Sequence, residues 1–136
     1  MPKLSIWTIR LSFLYLLLGF TLGALLLTNK GTPIHPALWQ WLPVHVEFLL
    51  FGWVVQFLMG VAFYIAPRFW KVPRRGNETG ARAAVLLLNG GIWLAAAGPV
   101  LSAPALVMVA GRVLETGAAA AFAAHLWFRI VSRDLS

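Results

Sequence analysis

The sequence predicts an all-α integral membrane protein, one four-helix bundle over residues 1–136 with both termini in the cytoplasm. Three observations predict it. Of the 136 residues, 60% are apolar and 11% charged, whereas a water-soluble domain carries roughly a quarter charged and under half apolar residues. Mean hydropathy is +0.81. The apolar residues also fall into four stretches, at 11–28, 43–66, 83–100 and 103–131, and crossing hydrocarbon as a helix takes roughly 20 residues. Four crossings leave only short connections and no room for a separate soluble domain.

The first stretch follows Lys3 and Arg10 and imitates a signal peptide. It is longer than the usual apolar region of one, and no small-residue cleavage site follows at Thr28-Asn29-Lys30, so a retained helix is expected. The segment 32–41 carries Trp39 and Trp41, which suit an interfacial helix, and Pro43 opens the second span. Gly76-Asn77-Glu78-Thr79-Gly80 reads as a turn between the second and third spans. Small residues that allow close backbone approach recur in spans one, three and four: Gly19 and Gly23, Gly90 and Gly91, and residues 117–121. Span four also holds Arg112 and Glu115, which places it inside the bundle or at a subunit contact.

Charge sets the orientation. Lys3 and Arg10 precede span one, Arg68, Lys71, Arg74, Arg75 and Arg82 lie between spans two and three, and Arg129 and Arg133 end span four. All of these fall on one side of a pair of hairpins, which basic excess marks as cytoplasmic, and only Lys30 decorates the first loop on the other side. The net charge of +7 in so apolar a chain fits a surface facing anionic lipid rather than nucleic acid. The absence of cysteine excludes disulfides and thiolate-held zinc or iron–sulfur centres, so any metal would use histidine or carboxylate.

Span two has a readable face. At about 100° per residue, His45, Gly52, Gln56, Gly60 and Phe63 share a stripe about 80° wide, opposite Val54, Leu58 and Val61. This face should turn to protein, water or ligand, because an unpartnered amide or imidazole in lipid costs several kcal/mol. His45 is then either a heme or copper ligand or a histidine bonded to a backbone carbonyl or water. Glu47 lies roughly 200° further round the helix and shares a metal with His45 only through another chain or a broken turn. A carboxylate near a helix N-terminus is favoured in any case.

Arg112 and Glu115 stand i, i+3 within span four and should pair. Intramembrane ionisable groups are functional by default. Arg112 would bind an anionic group such as a heme propionate or a lipid phosphate, and Glu115 would move protons; the structural alternative is a pair that fixes helix register or a subunit contact. His125 lies about two thirds of a 30 Å membrane from His45, so the two cannot share an iron, and His125 is expected to reach the inner interface with Arg129. Bis-histidine ligation would use His45 from two subunits, or His45 with loop His35. The candidate metal set is thus His45, His35 and Glu47, and no catalytic residue is assigned.

The stretch 45–68, HVEFLLFGWVVQFLMGVAFYIAPR, resembles the second transmembrane helix of subunit I of the heme-copper oxidases, particularly the C-type oxidases and the nitric oxide reductase large subunit. His45, Glu47, Gly52, Gly60, Phe63, Tyr64 and Arg68 carry the resemblance. It implies that His45 is an axial ligand of a b-type heme and that the helix runs from outside to inside. Glu47 stands where the family usually has a neutral residue. The family's remaining ligands have no counterpart in one copy of this chain, which excludes a complete oxygen or nitric oxide reductase. The family's twelve-helix core forms three arcs of four, so a homotrimer would imitate it.

Three functional expectations follow. The leading one is a small inner-membrane protein that binds b-type heme, copper or zinc through His45, with Arg112 on the cofactor, in an oligomer serving respiratory electron transfer or nitrogen-oxide handling. The second is a cofactor-free accessory or structural subunit of a respiratory complex. The third is an oligomeric channel or transporter with Arg112, Glu115 and Gln56 along a polar path. The expected partners are membrane lipid, further copies of the chain and respiratory subunits.

Overall fold

The computed structural model describes residues 1–66, 78–127 and 129–130. Arg68, Lys71, Arg74 and Arg75, the Gly76-Asn77 turn, the end of the fourth stretch and Arg133 lie outside the described residues. Among the described residues every regular element is helical, and four helices are long and apolar enough to cross a membrane.

Helix α1, Lys3–Gly31, begins well before residue 11, because Ser5, Thr8 and Ser12 form a buried small polar stripe along its first turns. Thr8 and Ser12 satisfy their hydroxyls inside the helix, donating to the Leu4 and Ile9 carbonyls at 2.8 and 2.7 Å. At the far end Asn29 reverses the chain: its Oδ1 accepts the backbone N–H of Ile34 at 2.8 Å and of His35 at 2.9 Å. A short 3₁₀ turn, Pro36–Trp41, follows with Trp39 and Trp41 exposed.

The second span has three parts. Helix α2, Leu42–Glu47, passes into a π-helical segment, Phe48–Val55, and then into α3, Gln56–Ile65. The wider π turns depart from a uniform 100° per residue, yet the expected face survives: Gly52, Gln56, Gly60 and Phe63 are buried while Val54 and Leu58 are exposed. Helix α4, Thr79–Leu101, ends on Ser102, whose φ of 51° is left-handed. Residues 102–104 alone separate it from α5, Ala105–Trp127. Helix α5 is not interior. It buries one face, Gly111, Glu115, Ala118 and Phe122, and leaves Leu106, Val109 and Val113 exposed.

The helices form two antiparallel hairpins joined along glycine seams. In the first, an added Cβ on Gly19 would lie 2.6 Å from the Leu49 side chain, one on Gly52 2.5 Å from the Tyr15 ring, and one on Gly60 2.8 Å from Ile9. In the second, Gly98 faces Met108 and Gly91 faces Glu115, while a Cβ on Gly111 would sit 2.8 Å from both the Ala95 nitrogen and the Gly91 oxygen. Such backbone-to-backbone approach is how helices associate where lipid supplies no hydrophobic drive. Contacts that join the hairpins include Tyr15 with Asn89, Glu47 with Arg112, and Phe63 with His125.

The seam between α4 and α5 cannot take a methyl group at Gly111, where backbone is the obstacle. Gly111→Ala should destabilise the protein by about 1–3 kcal/mol. Gly90→Ala, whose Cβ would meet only Leu114 at 3.8 Å, should be neutral or slightly stabilising. Thermal melting of the two variants in detergent checks the contrast.

Candidate functional site: an intramembrane ion cluster

Helix α2 divides its two sequence candidates between opposite neighbours. His45 faces α1, where its Nδ1 lies 2.8 Å from the Gly19 carbonyl oxygen. A carbonyl only accepts, so Nδ1 carries the proton and Nε2 is left as the lone-pair nitrogen. The ring lies against Gly23, where a Cβ would fall 2.6 Å from its Cε1. The Gly19 and Gly23 pair thus forms the notch that the imidazole fills.

Glu47 faces the other way, into a cluster on α5. Its carboxylate takes Arg112 Nη2 at 2.7 Å, and Arg112 Nη1 donates to Glu115 Oε2 at 2.8 Å. The expected Arg112–Glu115 pair is therefore present, and Glu47 joins it from a different span. The Phe51 ring lies 5.3 Å from the guanidinium carbon, and Glu115 packs over Gly91 of α4. Both carboxylate side chains are 3% exposed, whereas the Arg112 side chain is 50% exposed. Glu47 Oε1 and Glu115 Oε1 are buried without a hydrogen-bond partner. Two carboxylates and one guanidinium leave one negative charge in excess when all three are ionised.

A second polar group lies nearer the middle of the bundle, and sequence reasoning missed most of it. Tyr15 donates to Asn89 Oδ1 at 2.8 Å, Asn89 Nδ2 donates to Gln56 Oε1 at 2.8 Å, and Gln56 Nε2 donates to the Thr8 carbonyl at 3.3 Å. Asn89 also donates to the Val85 carbonyl at 2.8 Å. A lone amide in each of two apolar spans was the available signal, since such side chains bond across helices in lipid. Gln56 is fully buried and bonds α1 and α4 rather than Arg112, so it does not line a path with the ion cluster. Tyr15, Phe48 and Trp93 pack edge to face or tilted beside this network, with centroids 5.2–6.4 Å apart.

The candidate metal residues are not brought together. His35 lies exposed before the 3₁₀ turn, and its Nδ1 accepts the Ala37 N–H at 3.1 Å. His45 fills the α1 seam and Glu47 the ion cluster. Among the described residues no group of three His, Asp or Glu side chains converges for a metal ion. A ring held by Nδ1 on a backbone carbonyl is oriented as metal-bound histidines are, and neither His35 nor Glu47 is brought to it. The three candidates thus do not form one metal site within a single chain. His125 also departs from expectation, turning inward to stack on Phe63 at 5.9 Å, and Arg129 covers the same ring at 5.0 Å and donates to the Ala66 carbonyl at 3.2 Å.

Two concave regions flank these groups. An apolar cavity of about 380 Å³ lies between α1, α2 and α4, with Leu22, Val44, Phe48, Trp93 and Ala97 in its wall; neither His45 nor Glu47 lines it. An open groove of about 580 Å³ runs along α5 past Met108, Val109, Arg112, Val113, Thr116 and Gly117. No family model, no curated protein and no solved structure matches the chain.

The central network should behave as a unit. Asn89→Leu removes partners from both Tyr15 and Gln56 and should destabilise the protein by about 1–2 kcal/mol, and Tyr15→Phe by less. The double variant should fall short of the sum, as a double-mutant cycle of melting free energies will read.

Proposed function

We propose that this chain is a small accessory subunit of a larger membrane assembly, holding no cofactor in its own fold and docking through the exposed face of α5. The observation that carries this reading is Arg112. It stands about 10 Å along α5 from Ala105, at 1.5 Å per residue, with half its side chain exposed. A guanidinium on a lipid-facing helix surface is costly. Apart from Met108 the residues around it are small or short: Val109, Val113, Thr116 and Gly117, and nothing lies within 4 Å of a Cβ placed on Gly117. Faces of this composition pack against helices, not lipid tails. Helix α1, by contrast, presents Trp7, Leu17, Phe20 and Leu27 on its exposed side, a surface suited to lipid.

Glu47 on the Arg112 guanidinium and His35 on the Ala37 N–H are engaged elsewhere, and His45, held through Nδ1 on the Gly19 carbonyl, stands apart from both. The resemblance of the second span to subunit I of the heme-copper oxidases suggests an assembly of respiratory type. Further copies of the chain are natural occupants of the α5 face, and three would supply twelve helices. The basic ends of the hairpins, Lys3, Arg82 and Arg129, suggest a cytoplasmic side at the N-terminal end of the bundle, as in a bacterial inner membrane.

The test is purification in mild detergent from cells supplied with iron, copper, zinc and heme precursor. The expected product is colourless, contains less than one metal per chain, and has a native mass above that of one chain. Gly117→Trp should reduce that mass to the monomer while far-UV circular dichroism stays unchanged. A Soret band or stoichiometric metal that disappears in His45→Ala would overturn this reading in favour of a heme- or metal-binding oligomer. A monomeric wild type would overturn the docking face.

A further inference from the structure

We propose that Glu47, Arg112 and Glu115 form an exchangeable-proton site inside the membrane, in which the two carboxyls share one proton. Two independent features of the cluster are answered by that proton. The first is charge. With both carboxylates ionised the group carries one negative charge in excess, in surroundings where the two acids are 97% hidden from solvent, and an uncompensated buried charge is strongly destabilising. One proton makes the cluster neutral.

The second is hydrogen bonding. Glu47 Oε1 and Glu115 Oε1 are each buried and partnerless, while the other oxygen of each carboxyl binds Arg112. Both carboxyls are held side by side on the one Arg112 guanidinium, Glu47 at Nη2 and Glu115 at Nη1. A single O–H from one to the other gives both orphan oxygens a partner, and a short charge-assisted O–H···O bond is among the stronger kinds. Release of the proton leaves two carboxylates on one guanidinium and breaks that bond. Nothing else need be consumed or formed.

The surroundings keep the site to these three groups. The charged groups acting on Glu47 are Arg112 and Glu115, and those acting on Arg112 are the two glutamates. The π segment contributes the Phe51 ring and α4 contributes Gly91, neither of which titrates. The half-exposed edge of Arg112 gives the cluster its opening, onto the α5 groove. The proposal does not depend on what occupies that groove.

The sequence makes a direct measurement practical, since it has only four acidic side chains: Glu47, Glu78, Glu115 and Asp134. Infrared spectra of the full-length protein in lipid vesicles, unlabelled and with ¹³C-carboxyl glutamate, should show one protonated carboxylic acid carbonyl band near neutral pH. The band should shift with the label and in D₂O, and convert to carboxylate absorption in alkali. It should vanish in Glu47→Gln and in Glu115→Gln, amides that mimic the protonated acid, and survive in Glu78→Gln. In Arg112→Gln, where two acids lose their cation, its area should roughly double. Absence of a glutamate acid band from the wild type overturns the proposal. Persistence of the band in both single glutamine variants does so too, and the wild-type label and pH series decides alone should a variant fail to fold.

Discussion

Lipid tails are as apolar as the leucines of these helices, so the two hairpins gain little by hiding apolar surface from their solvent. What joins them is polar. At three levels of the bundle a side chain of the first hairpin meets one of the second: Glu47 with Arg112, Gln56 and Tyr15 with Asn89, and Phe63 under His125 and Arg129. The first two links relieve groups that hydrocarbon would leave unpaired, and the direction of that relief sets which helix faces turn inward. The glycine seams inside each hairpin then let the backbones close to the distance these short links require.

This division explains why His45 and Glu47, two residues apart, do such different work. The imidazole is a donor and finds a carbonyl exposed by the Gly19 and Gly23 notch. The carboxylate is an acceptor and finds the one guanidinium that α5 brings to its depth. The π segment starts at the next residue, so the helix changes its winding directly after these two contacts are made, and still returns Gly52 and Gln56 to the α1 side.

Much of the fold was legible in the sequence, because length and hydropathy alone separate four spans and small residues mark the seams. The inward face of the second span was legible from His45, Gly52, Gln56, Gly60 and Phe63 at helical spacing. The Arg112–Glu115 pair followed from i, i+3 geometry, but Glu47 as its third member did not. That contact joins residues 65 positions apart, and a single chain's periodicity fixes which way a side chain points, not which helix stands there. The Asn89 network was obscured for the same reason. The π winding left no compositional trace, and the early start of α1 was obscured by hydroxyls that satisfy themselves on their own helix.

The turn at Ser102 bears on how the protein reaches the membrane. A helix with a guanidinium and a carboxylate in its first half is a poor candidate for independent insertion. With only residues 102–104 between them, α4 and α5 are set back to back. Gly91 and Gly111 meet across that pair, and Arg112 is matched by Glu115 within one helix. The left-handed residue thereby sets the more apolar of the two helices directly against the one that carries charge.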